Sequence, residues 1–208
     1  DVLFYYTTCG WMMWNWLVSG LACGAQIVLY DGSVFYPTPL SKWDLIDRFK
    51  ITIFGTSAKF INSCLKEGIR PAKHCDLGSL RQVMSTGSPL YDDDFEYLYN
   101  SVKSDIQVCS ISGGTDIVGC FALGNPLLPV RRGELQCRSL GLDVCAVNSD
   151  GETVYNTQGE LVCRNAFPSM PLEFFNDVNG ERYQAAYFDH FEGLWRHGDF
   201  MTLYDHGG

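Results

Sequence analysis

Two short apolar runs, Val2–Tyr6 and Gln26–Tyr30, flank a longer one from Trp11 to about Cys23, and residues 2–30 hold no charge. The short runs read as buried strands and the longer one as a helix between them. Ser41-Lys42-Trp43-Asp44 approximates a capping box, in which a hydroxyl and an acid three residues on share backbone N–H groups, and it opens a helix ending near Phe49. Ile51–Phe54 is the next strand. Ala58, Ile61, Cys64 and Leu65 then recur at helical spacing within Ser57–Glu67, and Gly68 ends that helix. Arg81–Thr86 reads as a strand and a helix follows from about Tyr91 to Val102. Asp92, Asp93 and Asp94 fall in its first turn, where the backbone dipole favours acids; that explains them better than a metal cluster does. Ile106–Ser110 is a further strand, running into Ser112-Gly113-Gly114-Thr115-Asp116. The alternation predicts an α/β fold, a parallel sheet flanked by helices. Ligands in such sheets gather beyond the carboxyl ends of the strands. Loops 85–89 and 112–116 both follow predicted strands, so they are expected to share one crevice.

After about Asn125 the pattern changes. Gly133-Glu134-Leu135-Gln136-Cys137 and Gly159-Glu160-Leu161-Val162-Cys163 read as similar strand starts, with Leu142–Val147 between them and a turn at Asp150-Gly151. Two copies are too few for a solenoid. Residues 126–208 are therefore expected to form a small all-β subdomain after an α/β part over 1–125.

Composition narrows the possibilities. At 208 residues, 46% hydrophobic and 19% charged, the chain can bury a real core. Its net charge of -9 argues against a nucleic-acid partner bound through displaced counterions. Nine cysteines contain no Cys-x-x-Cys pair. An odd count among mostly apolar neighbours points to reduced, buried thiols in a cytosolic protein, ahead of disulfides or a zinc site. The uncharged stretch 2–30 leaves a membrane anchor open as an alternative. Gly10, Asn15, Ser19, Gly20, Gly24 and Gln26 interrupt it and no Lys or Arg flanks it, so no membrane insertion is expected.

Three segments carry candidate chemistry. A glycine-flanked Thr115-Asp116 pair suits a phosphate and its metal, because the backbone approaches closely while a hydroxyl and a carboxylate converge. The same residues also suit a plain glycine turn with a capping Asp. Gly198-Asp199 can hold sugar hydroxyls, since a carboxylate accepts several hydrogen bonds, or simply start the strand Phe200–Tyr204. Ser85-Thr86-Gly87-Ser88-Pro89 is a strand end with open backbone, or only a strand-to-helix turn. Arg196, His197, His74, His190 and His206 have no partner pattern and are given no chemistry. Trp14 and Trp16 read as core aromatics.

In order and separation these motifs resemble the adenylate-forming acyl-CoA synthetases, which activate a carboxylic acid with ATP. The runs GWMMWNWLVSGLACGA, STGSPL, SISGGTDIV, RRGELQCR and FPSMP look like the subfamily whose acid is acetoacetate, and the likeness covers the whole chain. The resemblance implies a barrel-like arrangement of the β-rich part, and that both parts belong to one AMP-binding domain. It also implies that a phosphate loop and a lysine-bearing C-terminal domain lie outside these residues, so that the 208 residues alone are expected to be inactive. ATP, Mg²⁺ and CoA follow as co-substrates and cofactor, with small molecules (ATP, acetoacetate, CoA) as the partners.

Residue by residue, Thr115 matches the threonine of the family's Thr-Glu pair, donating its hydroxyl to the α-phosphate. Asp116 matches the acid that binds Mg²⁺ directly or through water, one methylene shorter than the family's Glu. Gly87, Ser88 and Pro89 match the loop packed against adenine, and Ser110, Ile111, Ser112, Gly113, Gly114 and Thr115 continue the adenine and phosphate wall. Trp195-Arg196-His197-Gly198-Asp199 matches the family's Tyr-x-Thr-Gly-Asp element, which places Asp199 on both ribose hydroxyls. Trp11, Met12, Met13, Thr86 and Gly113 match acyl-pocket positions. Relatives that take acetate carry a bulky tryptophan at the position of Gly113, so its missing side chain is expected to leave room for a longer acid. The implied reaction turns acetoacetate, ATP and CoA into acetoacetyl-CoA, AMP and pyrophosphate through an acyl-adenylate. A ligase for propionate or butyrate, or a non-catalytic nucleotide-binding module of the same fold, stays open.

Overall fold

The computed structural model describes all of residues 1–208 and divides them into two compact units. Asp1–Ser112 joins Gly124–Gln136 in the first, and Gly113–Leu123 joins Cys137–Gly208 in the second. The chain thus changes unit after 112, 123 and 136, whereas the change of sequence pattern gave a single border at 125/126.

The first unit holds five parallel strands in the order β2-β1-β3-β4-β5: β1 Val2–Tyr5, β2 Gln26–Ile27, β3 Ile53–Ser57, β4 Gln82–Thr86 and β5 Gln107–Ser110. The helices are α1 Met12–Ser19, which tightens into a 3₁₀ turn over Gly20–Cys23, α2 Ser41–Phe49, α3 Ala58–Lys66 and α4 Asp92–Tyr97. Strand side chains alternate between faces. Phe4, Phe54, Val83 and Val108 enter a core with Trp43 and Ile46 of α2, Phe60 and Ile61 of α3 and Phe95 of α4. Leu3, Tyr5, Ile53 and Met84 turn the other way, toward Met12, Met13 and Leu17 of α1. Each such side chain, fully buried, contributes about 1.5–3 kcal/mol. Apolar burial on both faces is what keeps the strand ends in register.

Several local expectations change. The capping box at Ser41 does not form, because Ser41 is already helical and Leu40 is the N-cap. Ser41 Oγ instead donates to the Thr38 carbonyl (2.7 Å) and accepts from the Thr38 N–H. Ser57 is a true cap, accepting the Phe60 N–H at 3.2 Å. The strand expected at Ile51 begins at Ile53, since the Ile51 N–H closes the preceding helix on Ile46 O. The helix expected over 91–102 is α-helical to Tyr97 and π-helical from Leu98 to Val102. Asp94 is buried and binds the Tyr91 N–H and the Asn62 amide.

The second unit carries β6 Ser112–Gly114, β7 Gly119–Leu123 and β8 Cys137–Arg138 in one small sheet (the first residue of β6 closes the other unit). Antiparallel β9 Val144–Val147, β10 Gln158–Cys163 and β11 Trp195–Thr202 form another, in the order β11-β10-β9. This part is not all-β. Helix α5, Glu181–Tyr187, packs through Tyr187 onto Trp195, with ring centroids 3.7 Å apart and planes 15° apart. The two glycine-led repeats also differ, for 159–163 lies in β10 while 133–136 is loop. Gln136 there turns inward to hold the Asn125 and Leu128 backbone.

All nine cysteines are free; six are buried as the apolar neighbours lead one to expect, Cys137 is half-buried, and Cys9 and Cys23 are exposed. No helix is long and apolar enough to cross a membrane.

Candidate functional site

In the first unit, β4 and β5 are hydrogen-bonded neighbours with Ser85 opposite Ser110. Their carboxyl ends open side by side into 85–89 and 110–112, and the Ile111 N–H reaches back to the Ser85 carbonyl at 2.8 Å. Ser85, Ser110 and Ile111 are buried and fix the strand ends, while Thr86 and Ser112 are half-buried and Gly87, Ser88 and Pro89 are exposed. A methyl group at Gly87 would touch the Trp11 indole at 3.8 Å, so the ring lies beside bare, exposed backbone. Such a place suits a flat heterocycle, with the indole as its apolar wall. Met12 and Met13 are different. Both are core residues, 5% and 2% exposed, packed with Leu3, Tyr5 and Leu17. Of the acyl-pocket residues expected in this unit, Trp11 and Thr86 keep surface and the two methionines do not.

In the second unit, a close approach of backbone fixes the Gly-Gly-Thr-Asp loop. A Cβ on Gly113 would collide with the Gly119 carbonyl and lie 2.5 Å from Cys120 Cα. Gly113 therefore exists to let β6 lie against β7. The space it leaves is already filled, which corrects the expectation that its missing side chain opens an acyl pocket. At Gly114 the obstacles are side chains: the Asp116 carboxylate through Oδ1, and the His197 imidazole at 2.8 Å (Cε1) and 3.2 Å (Nε2). Asp116 and His197 thus crowd the same side of Gly114. Asp116 Oδ2 also accepts the Tyr187 hydroxyl at 2.9 Å. Thr115 and Asp116 are both exposed. The turn after them closes with the Val118 N–H on Thr115 O, and it holds Val118, a β-branched residue, at φ +45°. Such a conformation is costly for Val and is found where a loop must be aimed.

His197 and Asp199 come from a bulge in β11. Val162 pairs with Arg196 and Glu160 with Phe200, so Leu161 alone stands opposite His197, Gly198 and Asp199. A bulge re-aims side chains, and Gly198 at φ +91° permits this one. Asp199 is exposed; its Oδ2 lies 3.8 Å from His197 Nε2. His197 stacks edge-on against Phe121 at 4.7 Å, and its Nδ1 is buried. On the opposite face of β11, Arg196 pairs with the buried Glu160 at 3.0 Å. One strand end therefore supplies a structural ion pair on one side and His197 on the other.

The unit thus places Thr115, Asp116, Tyr187, His197 and Asp199 around Gly114. Sequence reasoning found the two motifs but assigned nothing to His197 and missed Tyr187. His197 was legible in principle, as it sits two residues before Asp199. Tyr187 carried no signal, being 71 residues from Asp116. Burial, and secondly the bond to Asp116, push the Tyr187 phenol up, so it stays protonated as a donor. No three His, Cys, Asp or Glu side chains gather into a metal cage. Magnesium needs none, for it keeps waters and takes one or two carboxylates beside substrate phosphates. An exposed Asp116 with Oδ1 clear of the Tyr187 bond fits that requirement.

Comparison with known proteins adds the following. The family model described as AMP-binding enzyme matches residues 1–170. An acetoacetyl-coenzyme A synthetase of Rhizobium meliloti (strain 1021) is 55% identical over 206 residues, which are 99% of this chain and 32% of that protein. The acetoacetyl-CoA synthetase of Mus musculus is 50% identical over 203 residues, 98% of this chain and 30% of that one. A solved structure of acetoacetyl-CoA synthetase from Streptomyces lividans superposes with a TM-score of 0.94 at 46% identity, covering 100% of this chain and 32% of that one. The chain spans about a third of the length of these relatives.

Proposed function

Because the chain belongs to the family of AMP-binding enzymes, we propose that it is the nucleotide- and acid-holding part of an acetoacetate–CoA ligase that forms AMP. The whole protein would join acetoacetate to ATP as an acyl-adenylate, release pyrophosphate, and pass the acyl group to CoA. The observation that carries this reading is the convergence at Gly114, which brings the Thr115-Asp116 pair and the His197–Asp199 bulge to one place. The choice of acetoacetate is supported by the relatives, all acetoacetyl-CoA synthetases, at 46–55% identity.

Two anions must meet, so the protein's task is to hold them and to neutralise the charge that develops. Thr115 donates its hydroxyl to an α-phosphate oxygen. Asp116 would hold Mg²⁺, which supplies positive charge to the phosphates when bound. Asp199, exposed at the bulge, accepts the ribose hydroxyls. Gly87, Ser88 and Pro89 offer backbone to adenine, followed by Ser110, Ile111, Ser112, Gly113 and Gly114, and Trp11 and Thr86 border the acid. Met12 and Met13 support Trp11 from the core. CoA is the second substrate. Nine free thiols suit a cytosolic setting.

The test uses the full-length protein and ATP–pyrophosphate exchange driven by acetoacetate, propionate, butyrate or acetate. Acetoacetate is expected to drive exchange best. Asp199→Ala, losing charged hydrogen bonds of about 1.5–3 kcal/mol each, should weaken ATP use at least about tenfold and blunt preference over 2′-deoxy-ATP. Faster exchange with propionate or butyrate would move the substrate assignment, and no exchange with any acid would leave only nucleotide binding.

A further inference from the structure

We infer that Tyr187 is a positioning residue for Asp116, holding its carboxylate in the orientation that a nucleotide-bound cation requires; this rests on the nucleotide reading above. Asp116 is exposed, and a surface aspartate ordinarily rotates freely about χ1 and χ2. Here each oxygen is constrained. Oδ2 accepts the Tyr187 hydroxyl at 2.9 Å, and Oδ1 lies against Gly114 on the side that His197 also occupies. The donor is itself immobile. Tyr187 is 9% exposed, its ring is stacked on fully buried Trp195, and Phe174 and Tyr183 close it in at 5.7 and 5.5 Å. The phenol therefore cannot follow a carboxylate that swings away. The bond also uses one oxygen and leaves the other for a cation.

The arrangement bears on acid length. Asp116 reaches Tyr187 while lying flush against Gly114, and an added methylene would carry the carboxylate past one of these contacts. Glutamate, although the longer acid of the resembled family, is thus expected to serve poorly in this chain.

Tyr187→Phe keeps the ring and its stack on Trp195 and removes only Oη, so it isolates the positioning role from packing. In the full-length protein with ATP present, Mn²⁺ binding would be titrated by its paramagnetic signal, alongside Mg²⁺ dependence of acetoacetate-driven exchange. Tyr187→Phe should raise the half-saturating concentration of both metals at least about tenfold, as expected for one lost hydrogen bond to a charged group. The KM for acetoacetate and the melting temperature should hardly move. Asp116→Glu should show a similar defect, and combining it with Tyr187→Phe should add nothing further. A Tyr187→Phe protein with the parent's metal dependence, beside an impaired Asp116→Asn, would remove Tyr187 and leave the nucleotide reading standing. An Asp116→Asn protein indistinguishable from the parent would remove both. Fully additive Asp116→Glu and Tyr187→Phe defects would also overturn the inference. So would a Tyr187→Phe melting temperature as low as that of Tyr187→Leu, because Tyr187 would then act by packing alone.

Discussion

Replacing Lys42 with methionine should stabilise the protein, and by an amount that depends on pH. Lys42 lies in α2 with 0% exposure, its Nζ has no hydrogen-bond partner, and it sits 3.2 Å from the Tyr6 ring centroid and 4.0 Å from that of Phe60. Burial pushes its amine down to about 7, against a slight opposing pull from Cys64. The distance from the unfolded value of ~10.4, at about 1.4 kcal/mol per pH unit, is a penalty of ~4–5 kcal/mol for the charged amine. Two aromatic faces favour the cation, so ~4–5 kcal/mol is the upper bound of the gain. Methionine fills a similar unbranched volume and keeps the ring contacts without a charge. The folded amine titrates below the unfolded one, so in the window between them the unfolded chain binds more protons and the parent gains stability as pH rises. The advantage of Lys42→Met is therefore largest at and below about pH 7 and fades by about pH 10. Urea midpoints of parent and variant near those two values measure it, and every other titrating group cancels in the difference. A variant less stable than its parent near neutrality would show that the aromatic cage outweighs burial. A gain indifferent to pH would show that the amine is not its source.

The paired glycines should part company on substitution. Gly113→Ala meets strand backbone and should cost about 1–3 kcal/mol of stability, and Gly113→Trp should fail to fold well instead of shifting preference from acetoacetate toward acetate. Gly114→Ala meets the side chains of Asp116 and His197 instead of backbone, so it should cost less stability than Gly113→Ala while displacing the Asp116 carboxylate and losing most exchange activity; equal stability losses at both positions would contradict this. Val118→Gly relieves a β-branched residue at φ +45° and should gain roughly 1 kcal/mol after the added unfolded-state entropy is subtracted, read from the denaturant midpoint. A loss there would mean that the turn is unstrained.

The order of strands and helices through Ser110 was legible in the sequence because it is written locally. Period-two and period-3.6 burial, a Ser57 cap and the glycine after α3 each act within one or two turns of chain. The loops after β4 and β5 were legible for the same reason, since a strand end followed by Gly-Ser-Pro or Gly-Gly-Thr-Asp marks a place where backbone is bare. Helix α5 was not, because seven residues make fewer than two turns and give no periodicity to read; Tyr187 meets Trp195 only once the chain has folded back. Only tertiary structure separated Gly113, pressed on backbone, from Gly114, pressed on the side chains of Asp116 and His197, although the two are identical and adjacent in sequence. It likewise placed Met12 and Met13 in the core while leaving Trp11 at the surface, and turned His197 toward Gly114 through a bulge opposite Leu161. Local sequence specifies how each segment buries its own apolar face. The direction in which a functional side chain finally points depends on which distant segment it meets, and neither period nor propensity records that meeting.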